Sequence, residues 1–447
     1  MKAGGNPARH ADWPDDLLLP VSTLPKYSRL WVAFSGGLDS ALLLHVAASC
    51  HADVTALHIN HQLQTNHQQT EQFCRDVCVS LGVPIVVEYV DVPVSGTGAG
   101  GLEEAARDAR YQVFERLLGD GDLILMAHHG DDQAETVLFR LLRGSGVGGL
   151  SGMPAERPLG RGQLYRPWLA FGRDRLEAAA ANAGMSWVED PSNASQVYDR
   201  NYLRHTIMPS LKGRWPGLLK RIEHSAGACR ESAELNRRLA ELHWQSCSDN
   251  GRLVLAAVRP LSALEQRNLV RWWLQSQRCE VPASASLDQG LSDLLNAAED
   301  RAPEIRGAGF SLRRYRGYLY LVSDFTVPQG ATDLSPGQAV AWGEWQLRLM
   351  PVQQGSTPKN PPPPIRVSTR QGGERVRFRA EGPSRALKTW LQEQGVPPWE
   401  RAALPLIYRQ GSGGEEIIAI GDLWCSGQYS GSAPATGWRL IVERDFD

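Results

Sequence analysis

The stretch Ser35 to Ser40, S-G-G-L-D-S, has the residue types of an anion-binding turn. It follows the apolar run Leu30 to Phe34, which predicts a buried strand, and it precedes Ala41 to Ala48, which predicts a helix. Two glycines let consecutive N–H groups approach a ligand, and the helix N-terminus adds its dipole. A G-x-x-x-x-G-K-[ST] loop is excluded because no lysine lies near this turn. We therefore predict a phosphate cradle formed by Ser35, Gly36, Gly37, Leu38, Asp39 and Ser40.

Acidic residues and histidines accompany this turn. A carboxylate at Asp39, beside phosphates, indicates a bridging Mg²⁺, since the charges would otherwise repel; a plain helix-start carboxylate is the alternative. Asp132 and Glu135 lie at i and i+3 on one face of a predicted helix, directly after His128 and His129. Such a group can bind Mg²⁺, hold a substrate ammonium or move protons, whereas a solvated helix start is the simpler alternative.

Other candidates are histidines and arginines. His58 and His61 follow a second predicted strand and either contact a nucleotide, perform acid–base work or are structural. The position of Arg107 one helical turn from Glu103 is equally consistent with a surface ion pair. The basic residues that follow Tyr198 either bind RNA or form a solvated basic face. The Gly-rich segment Arg143 to Met153 is either a mobile binding loop or a connector. The candidate phosphate- or RNA-binding arginines are Arg107, Arg110, Arg200 and Arg204.

Strand-like and helical patterns alternate around these residues, which predicts a parallel sheet covered on both faces. Because ligands of such sheets bind beyond the carboxyl ends of the strands, we expect the candidate residues to meet at that edge. After the first pair, the predicted strands are Asp53 to Ile59, Val83 to Val90 and Asp122 to Ala127, and the helices are His67 to Leu81, Leu102 to Leu118 and Asp131 to Leu142.

Length and composition set the remaining bounds. A chain of 447 residues predicts several domains. Its net charge of -2 neither favours nor excludes nucleic acid. Seven cysteines without a C-x-x-C pattern indicate a reducing compartment and argue against a cysteine-built zinc or iron–sulfur site. No apolar run approaches the roughly 20 residues of a membrane span, so we expect no membrane partner and a cytoplasmic location. The predicted domains are α/β at 1–216, mainly helical at 217–325, a Pro/Gly-rich connection at 326–364 and a small α+β domain at 365–447.

The ordered motifs resemble the bacterial tRNA(Ile)-lysidine synthetases, members of the PP-loop ATP pyrophosphatases. The resemblance covers most of the chain. S-G-G-x-D-S alone indicates only the superfamily, whereas H-H-G-D-D-Q-A-E-T joined to R-G-S-G is specific to the family. Further matches are H-I-N-H-Q-L, E-E-A-A-R-D-A-R-Y, E-D-P-S-N, R-N-Y-L-R and, near the C-terminus, R-Q-G-G-E-R-V and V-P-P-W-E-R. The sequence departs from the family at R-P-W-L, where R-P-L-L is usual.

The resemblance implies a PP-loop fold at 1–216 and tRNA binding by 217–325 and 365–447. It implies an enzyme that uses ATP to adenylate the wobble cytidine of the CAU-anticodon isoleucine tRNA and then joins free L-lysine to C2. The products are lysidine, AMP and PPi, and codon reading changes from AUG to AUA. By resemblance, Asp39 serves Mg²⁺ and the phosphates, and Asp132 and Glu135 position lysine. His128 or His129 is the expected base, because an amine with a pKa near ~10 must lose a proton to attack.

A PP-loop tRNA thiolase is the alternative function, since it shares the activation by ATP but delivers sulfur. That chemistry generally requires a cysteine near the site, and none occurs between Cys78 and Cys229. A non-catalytic RNA-binding protein is disfavoured by the intact turn and acidic pair. The sequence leaves the oligomeric state open, with a homodimer among the alternatives.

Overall fold

The computed structural model describes residues 12–63, 66–92, 101–189, 199–298, 301, 303–352, 364–379, 382–411, 414–430, 434 and 436–444, with the backbone alone at 101–103 and 284. The side chain of Glu103, Tyr198, most of the E-D-P-S-N motif and most of the proline run at 360–364 lie outside these residues. The chain divides into two compact units, Met1–Asn236 and Arg237–Asp447. None of the helices in these ranges is long and apolar enough to cross a membrane.

The first unit alternates strands and helices. Its strands are β1 (Leu30–Ala33), β2 (Val54–Asn60), β3 (Ile85–Tyr89), β4 (Leu123–Leu125), β5 (Glu156–Leu159) and β6 (Gly162–Tyr165). Its helices are α1 (Asp15–Ser22), α2 (Leu38–Cys50), α3 (His67–Leu81), α4 (Gly101–Leu117), α5 (Gly130–Leu142), α6 (Val147–Leu150), α7 (Arg173–Asn182), α8 (Asp199–Tyr202) and α9 (Met208–Arg214), with a π-helix at Leu203–Ile207 between the last two. Helix α10 (Leu218–Cys247) begins in this unit and ends in the next.

The strands form one sheet in the order β3-β2-β1-β4-β6-β5. All neighbours pair in parallel except β5 and β6, which form an antiparallel edge hairpin. Helix α2 packs into the main core because Leu42, Leu43 and Leu44 are all fully buried, so it has no broad polar face. The predicted α/β parallel sheet is therefore confirmed, and β1 lies between β2 and β4 with the cradle at its carboxyl end.

The second unit begins with helices packed on a small sheet. The strands β7 (Ser248–Asp249), β8 (Arg252–Val254), β9 (Glu304–Gly307), β10 (Phe310–Tyr315) and β11 (Tyr318–Ser323) form an antiparallel sheet in the order β7-β8-β11-β10-β9. The helices are α11 (Leu255–Val258), α12 (Ala263–Ser276) and α13 (Ser284–Asn296). The region predicted as mainly helical thus contains a five-stranded sheet as well.

The rest of the second unit is rich in β-structure. Its strands are β12 (Ala331–Asp333), β13 (Ala339–Trp342), β14 (Trp345–Pro351), β15 (Ile365–Ser368), β16 (Arg375–Val376), β17 (Arg385–Ala386), β18 (Leu406–Gly411), β19 (Gly414–Ile420), β20 (Trp424–Cys425) and β21 (Trp438–Arg444). The helices are α14 (Leu387–Glu393) and α15 (Pro398–Ala403). The stretch predicted as a connection supplies β12 to β14. In β14 the alternating Trp345, Leu347 and Leu349 are buried, as expected for a strand with one face in the core.

Candidate active site

The predicted cradle is a tight turn tied by its own serines. The hydroxyl of Ser40 lies 2.9 Å from that of Ser35 and 3.0 Å from the carbonyl oxygen of Gly37, to which it donates. The Ser40 hydroxyl also accepts from the amide of Ser35 at 3.2 Å. Gly37 is the N-cap of α2, and no side chain caps the helix from that position. The first amides of α2 are thus left for another acceptor, as in helix-terminal phosphate sites.

Gly36 is required by conformation and by space. Its φ is +87°, a region that favours glycine, and a Cβ at this position would lie 3.1 Å from the Sγ atom of Cys74. The Gly36 carbonyl accepts from the amide of Val188 at 2.9 Å, which joins the turn to the segment after α7. The double glycine therefore fits a turn that is enclosed on one side.

The cradle and the start of α5 meet at the sheet edge. The Oδ2 atom of Asp39 lies 3.7 Å from Nε2 of His129, and Nε2 also lies 3.4 Å from Oδ2 of Asp132. His129 is the N-cap of α5 in a capping box with Asp132, whose Oδ2 accepts from the His129 amide at 3.2 Å. Because β1 and β4 are neighbours in the sheet, residues about ninety positions apart share one site.

Neighbouring carboxylates offset the effect of burial on the pKa of His129. The residue is 3% exposed, and desolvation alone would lower its pKa. The carboxylates of Asp39, Asp132 and Asp131 overcome this effect, so the pKa of His129 is raised above its usual value. Desolvation likewise opposes the charge of Asp132, but His129, His128 and Arg204 lower its pKa. The carboxylates and their cationic neighbours thus each favour the charged form of the other.

Arg204 binds the carboxylates of both Asp132 and Glu135. Its Nε donates to Oε1 of Glu135 at 2.8 Å, and one Nη donates to Oε2 of Glu135 at 2.8 Å and to Oδ1 of Asp132 at 2.7 Å. Arg200 lies 3.7 Å from Glu135. Desolvation opposes the charge of Arg204, but these carboxylates raise its pKa. Arg204 belongs to the π-helix, a rare conformation that often occurs at functional sites.

Asp131 has a different role from its neighbour. It accepts from the amide of Arg173 at 2.8 Å and pairs with Lys212. These contacts join the start of α5 to the start of α7 and to α9. Asp131 thus anchors the backbone around the site.

The two adjacent histidines differ in their chemistry. Nδ1 of His128 accepts from Nε of Arg166 at 3.0 Å. Desolvation, aided by Arg166 and opposed by Asp132, lowers the pKa of His128 to about 3. The ring is therefore neutral near pH 7 and carries its proton on Nε2, so neither nitrogen is ready to accept one.

His58 and His61 lie at the end of β2. Nδ1 of His58 donates to the carbonyl of Phe34 at 2.9 Å, which ties β2 to the residue before the cradle. Neither ring nitrogen of His61 has a hydrogen-bond partner. Burial, with Arg110 and His58, lowers the pKa of His61 to about 4. Arg110 thus lies near His61, whereas Arg107 stacks over Tyr111 at 5.2 Å.

The Gly-rich segment is held in place by side chains. Gln133 donates to the carbonyl of Met153 at 3.0 Å and accepts from its amide at 2.6 Å. Arg140 donates to the carbonyls of Gly149 and Gly152, each at 2.9 Å. Both anchoring residues belong to α5. These contacts favour an ordered wall beside the site over a mobile loop.

A divalent ion fits this site only with help from substrate. Among the described residues, no group of three or more histidine, cysteine or acidic side chains could hold a metal. The buried Oδ1 atom of Asp39 has no hydrogen-bond partner. One carboxylate oxygen next to a phosphate cradle suits Mg²⁺, which typically takes one or two carboxylates together with substrate phosphates.

Several functional contacts were not predicted from the sequence. Tyr111 and Arg166 stood out only as members of motifs, and Gln133 was not singled out. Each of the three lies within a motif that carries the family resemblance, and this was the available signal. Membership in a motif does not indicate which residue a side chain contacts. Their partners lie between 12 and 90 residues away in the chain, beyond any local pattern.

Comparisons with known proteins identify related chains. Residues 16–211 match the family model of the PP-loop domain, residues 253–320 that of the TilS substrate binding domain, and residues 365–442 that of the TilS substrate C-terminal domain. The tRNA(Ile)-lysidine synthase of Alkalilimnicola ehrlichii is 39% identical, over 96% of this chain and 97% of the relative. That of Pseudomonas aeruginosa is 40% identical, over 92% of each chain.

A solved structure, the U34-tRNA thiolase from Methanococcus maripaludis, aligns with a TM-score of 0.40 at 15% identity, over 48% of this chain and 79% of that one. This similarity is too low to bear on function. The relatives, in contrast, cover 96% and 92% of this chain, and the three family models match successive parts of it. The chain belongs to the tRNA(Ile)-lysidine synthase family.

Proposed function

We propose that this protein uses ATP to attach free L-lysine to C2 of the wobble cytidine in the CAU-anticodon isoleucine tRNA, which yields lysidine, AMP and PPi. The observation that carries the proposal is the meeting of Asp39, His129 and Asp132 beside the cradle, with separations of 3.7 and 3.4 Å. A nucleotide held by the cradle would reach the same edge as a co-substrate held by the acidic helix start. The relatives named tRNA(Ile)-lysidine synthase support the choice of substrates.

In the first step, the cytidine O2 forms a bond to the α-phosphorus of ATP while the bond to pyrophosphate breaks. Amides of Ser35 to Ser40 and the N-terminus of α2 are the groups that would stabilise the departing pyrophosphate. Asp39 is the residue that would hold Mg²⁺, through its unpartnered Oδ1. The ion supplies charge neutralisation at the phosphates when it is bound.

In the second step, the lysine amine forms a C–N bond at C2 and the adenylated oxygen leaves as AMP. We place the lysine ammonium near Asp132 and Glu135. All four of their oxygen atoms already have partners, namely Arg204 and the His129 backbone. Lysine must therefore replace a bond of Arg204 or share an oxygen with it. Since Arg204 lies in a π-helical turn and its side chain is 26% exposed, it can be reached from solvent.

His129 is the better candidate for the base. His128 has a pKa near 3, so it remains neutral. The raised pKa of His129 means that its neutral ring takes up a proton more readily than an ordinary histidine. Arg200, which lies close to Glu135, and Arg110, near His61, would bind RNA or phosphate.

The direct test uses purified protein, ATP, radiolabelled lysine and unmodified isoleucine tRNA. We expect label to enter the tRNA only when ATP is present, with AMP formed in equal amount. Methionine tRNA with the same anticodon is the control substrate, and we expect it to remain unlabelled. Absence of label in isoleucine tRNA, together with sulfur incorporation under thiolation conditions, would favour the thiolase instead.

Two variants test the roles proposed for Asp39 and Glu135 separately. Asp39→Ala should abolish AMP formation while the protein stays folded. Glu135→Gln should raise KM for lysine more than KM for ATP. Undiminished AMP formation in the first, or equal changes in the second, would contradict the assignments.

The cysteines argue against the thiolase. All seven are free, and Cys74 is the one that lies against Gly36 of the cradle; burial raises its pKa and raises that of Cys78 to about 12. Thiols of that kind are not nucleophiles at neutral pH. A homodimer stays a prediction, which sedimentation of the purified protein would test.

A further inference from the structure

A cavity of about 530 Å³ lies beside the candidate active site. Its walls come from α4, the end of α5, the β5 hairpin and the residue after β6. The groups that matter here are Arg107, Tyr111, Arg140, Arg157 and Arg166. The cavity is distinct from the cradle of Ser35 to Ser40, which does not line it.

Arg166 is a buried cation with neutral partners. It is 3% exposed. Its Nε donates to Nδ1 of His128, and its Nη atoms donate to the carbonyl of Pro154 at 2.8 Å and to the hydroxyl of Tyr111 at 3.3 Å. None of these groups is a carboxylate. Burial of a charge without an opposite charge is costly, so such a residue is normally paired.

The other arginines add to this excess of charge. Arg140 uses its hydrogen bonds on the backbone carbonyls of Gly149 and Gly152. The guanidinium groups of Arg107 and Arg157 lie 5.2 and 4.8 Å from the centre of the Tyr111 ring. Within the described residues, none of the four arginines lies within ion-pair distance of a carboxylate. Four guanidinium groups therefore converge without internal neutralisation.

The acidic residues of the cavity do not offset this charge. Asp108 and Glu115 line it but are exposed, so water solvates them. Burial, with the like charges of Arg107 and Arg200, lowers the pKa of Arg140. The arginines also act on Tyr111, whose pKa falls although burial alone would raise it. Both effects indicate a positive potential that an anion would relieve.

The position of the cavity identifies the anion. Through the Arg166–His128 bond, its wall continues into the residue before the N-cap of α5. The cradle already provides for the phosphates of a nucleotide. A base reacting at this edge must be splayed from its loop, which brings its own backbone phosphates alongside. Proteins commonly bind such RNA with guanidinium groups and an aromatic ring.

We propose that this arginine pocket binds an RNA phosphodiester that flanks the reacting nucleotide. The proposal rests on the proposed function for the identity of the RNA. The pocket would fix the backbone on one side of the base, so that the base enters the site in one orientation. Tyr111 would keep Arg107 and Arg157 apart and aligned.

The first test measures binding of full-length protein to unmodified isoleucine tRNA over a range of salt concentrations. For Arg157→Gln we expect a Kd about 5- to 10-fold higher and a salt dependence shallower by about 0.7 in log–log slope, the loss of one phosphate contact. The matched control is Arg161→Gln, on the same hairpin but paired with Asp120 outside the cavity. The control should match the wild type. An unchanged slope for Arg157→Gln would overturn the proposal.

The second test distinguishes RNA phosphate from the phosphates of ATP. An anticodon stem-loop with a neutral methylphosphonate on one side of the cytidine is compared with its mate modified on the other side. With one of these two modified stem-loops, we expect Arg157→Gln to have no further effect on Kd or on the salt dependence. Additive effects at both linkages, or a raised KM for ATP with unchanged RNA affinity, would show that the pocket serves another anion. If the wild-type protein binds this RNA but adds no lysine to it, the proposed function is wrong. The binding measurements still test whether the arginine pocket binds an RNA phosphate.

Discussion

Replacing Arg204 with alanine would leave two buried carboxylates without their shared cation. Asp132 is 9% exposed and Glu135 is 2% exposed. Removing one partner from a buried ion pair typically costs about 3–5 kcal/mol. Because the Arg204 side chain is 26% exposed, water reaches it and the lower end applies, about 3 kcal/mol. That free energy corresponds to a change of roughly 100-fold in the opening equilibrium of α5.

Hydrogen exchange measured by mass spectrometry on the intact chain reports this opening. Peptides covering α5 (Gly130–Leu142) should lose about 100-fold of their protection in Arg204→Ala at pH 7. The control is Arg175→Ala, which removes the same charge from an exposed pair with Asp16. Such pairs contribute about 0–1 kcal/mol, so the control should change protection by less than about 5-fold.

A pH series checks the cause of the loss. In the wild type, the pKa of Asp132 is lowered from 3.8, so its contribution to stability is present above that value and is lost as pH falls through the lower folded pKa. Without Arg204, the buried carboxyl takes up a proton more easily and its penalty is relieved. The difference between wild type and variant should therefore be smaller at pH 4 than at pH 7. Equal protection of α5 in both proteins at pH 7 would refute the reasoning.

Three further outcomes are expected. Gly36→Ala should destabilise the protein by about 1–3 kcal/mol and raise KM for ATP, because φ is +87° and the new Cβ would lie 3.1 Å from the Cys74 sulfur; thermal unfolding and steady-state kinetics measure both. His129→Gln should cost more stability at pH 6 than at pH 9 by pulse proteolysis, since a raised pKa stabilises below 6.5 and that stabilisation is lost as pH rises through the folded pKa. Gln133→Leu removes two hydrogen bonds to Met153, so limited proteolysis of the Gly-rich segment should become about 10-fold faster.

Much of the first unit was predictable because its signals are local. The helix from His67 to Leu81 has the predicted bounds, and the strand expected at Asp53 to Ile59 runs from Val54 to Asn60. Periodicity of apolar residues decides such elements within a short window. The small sheets of the second unit were harder. The β13 to β14 region reads as Pro- and Gly-rich, and its strands form only by pairing with each other and with β21.

The sequence by itself determined that a glycine turn and an acidic helix start follow two strands of a parallel sheet, and it determined the family to which the chain is related. These features depend on neighbouring residues, whose backbone preferences and side-chain chemistry can be read in order. Only the tertiary structure decided that Arg204 would lie between Asp132 and Glu135, 72 and 69 residues away, and that Arg166 would donate to Nδ1 of the buried His128. Such pairings arise from the packing of distant segments, because a buried charge is stable only where the fold places a suitable partner beside it.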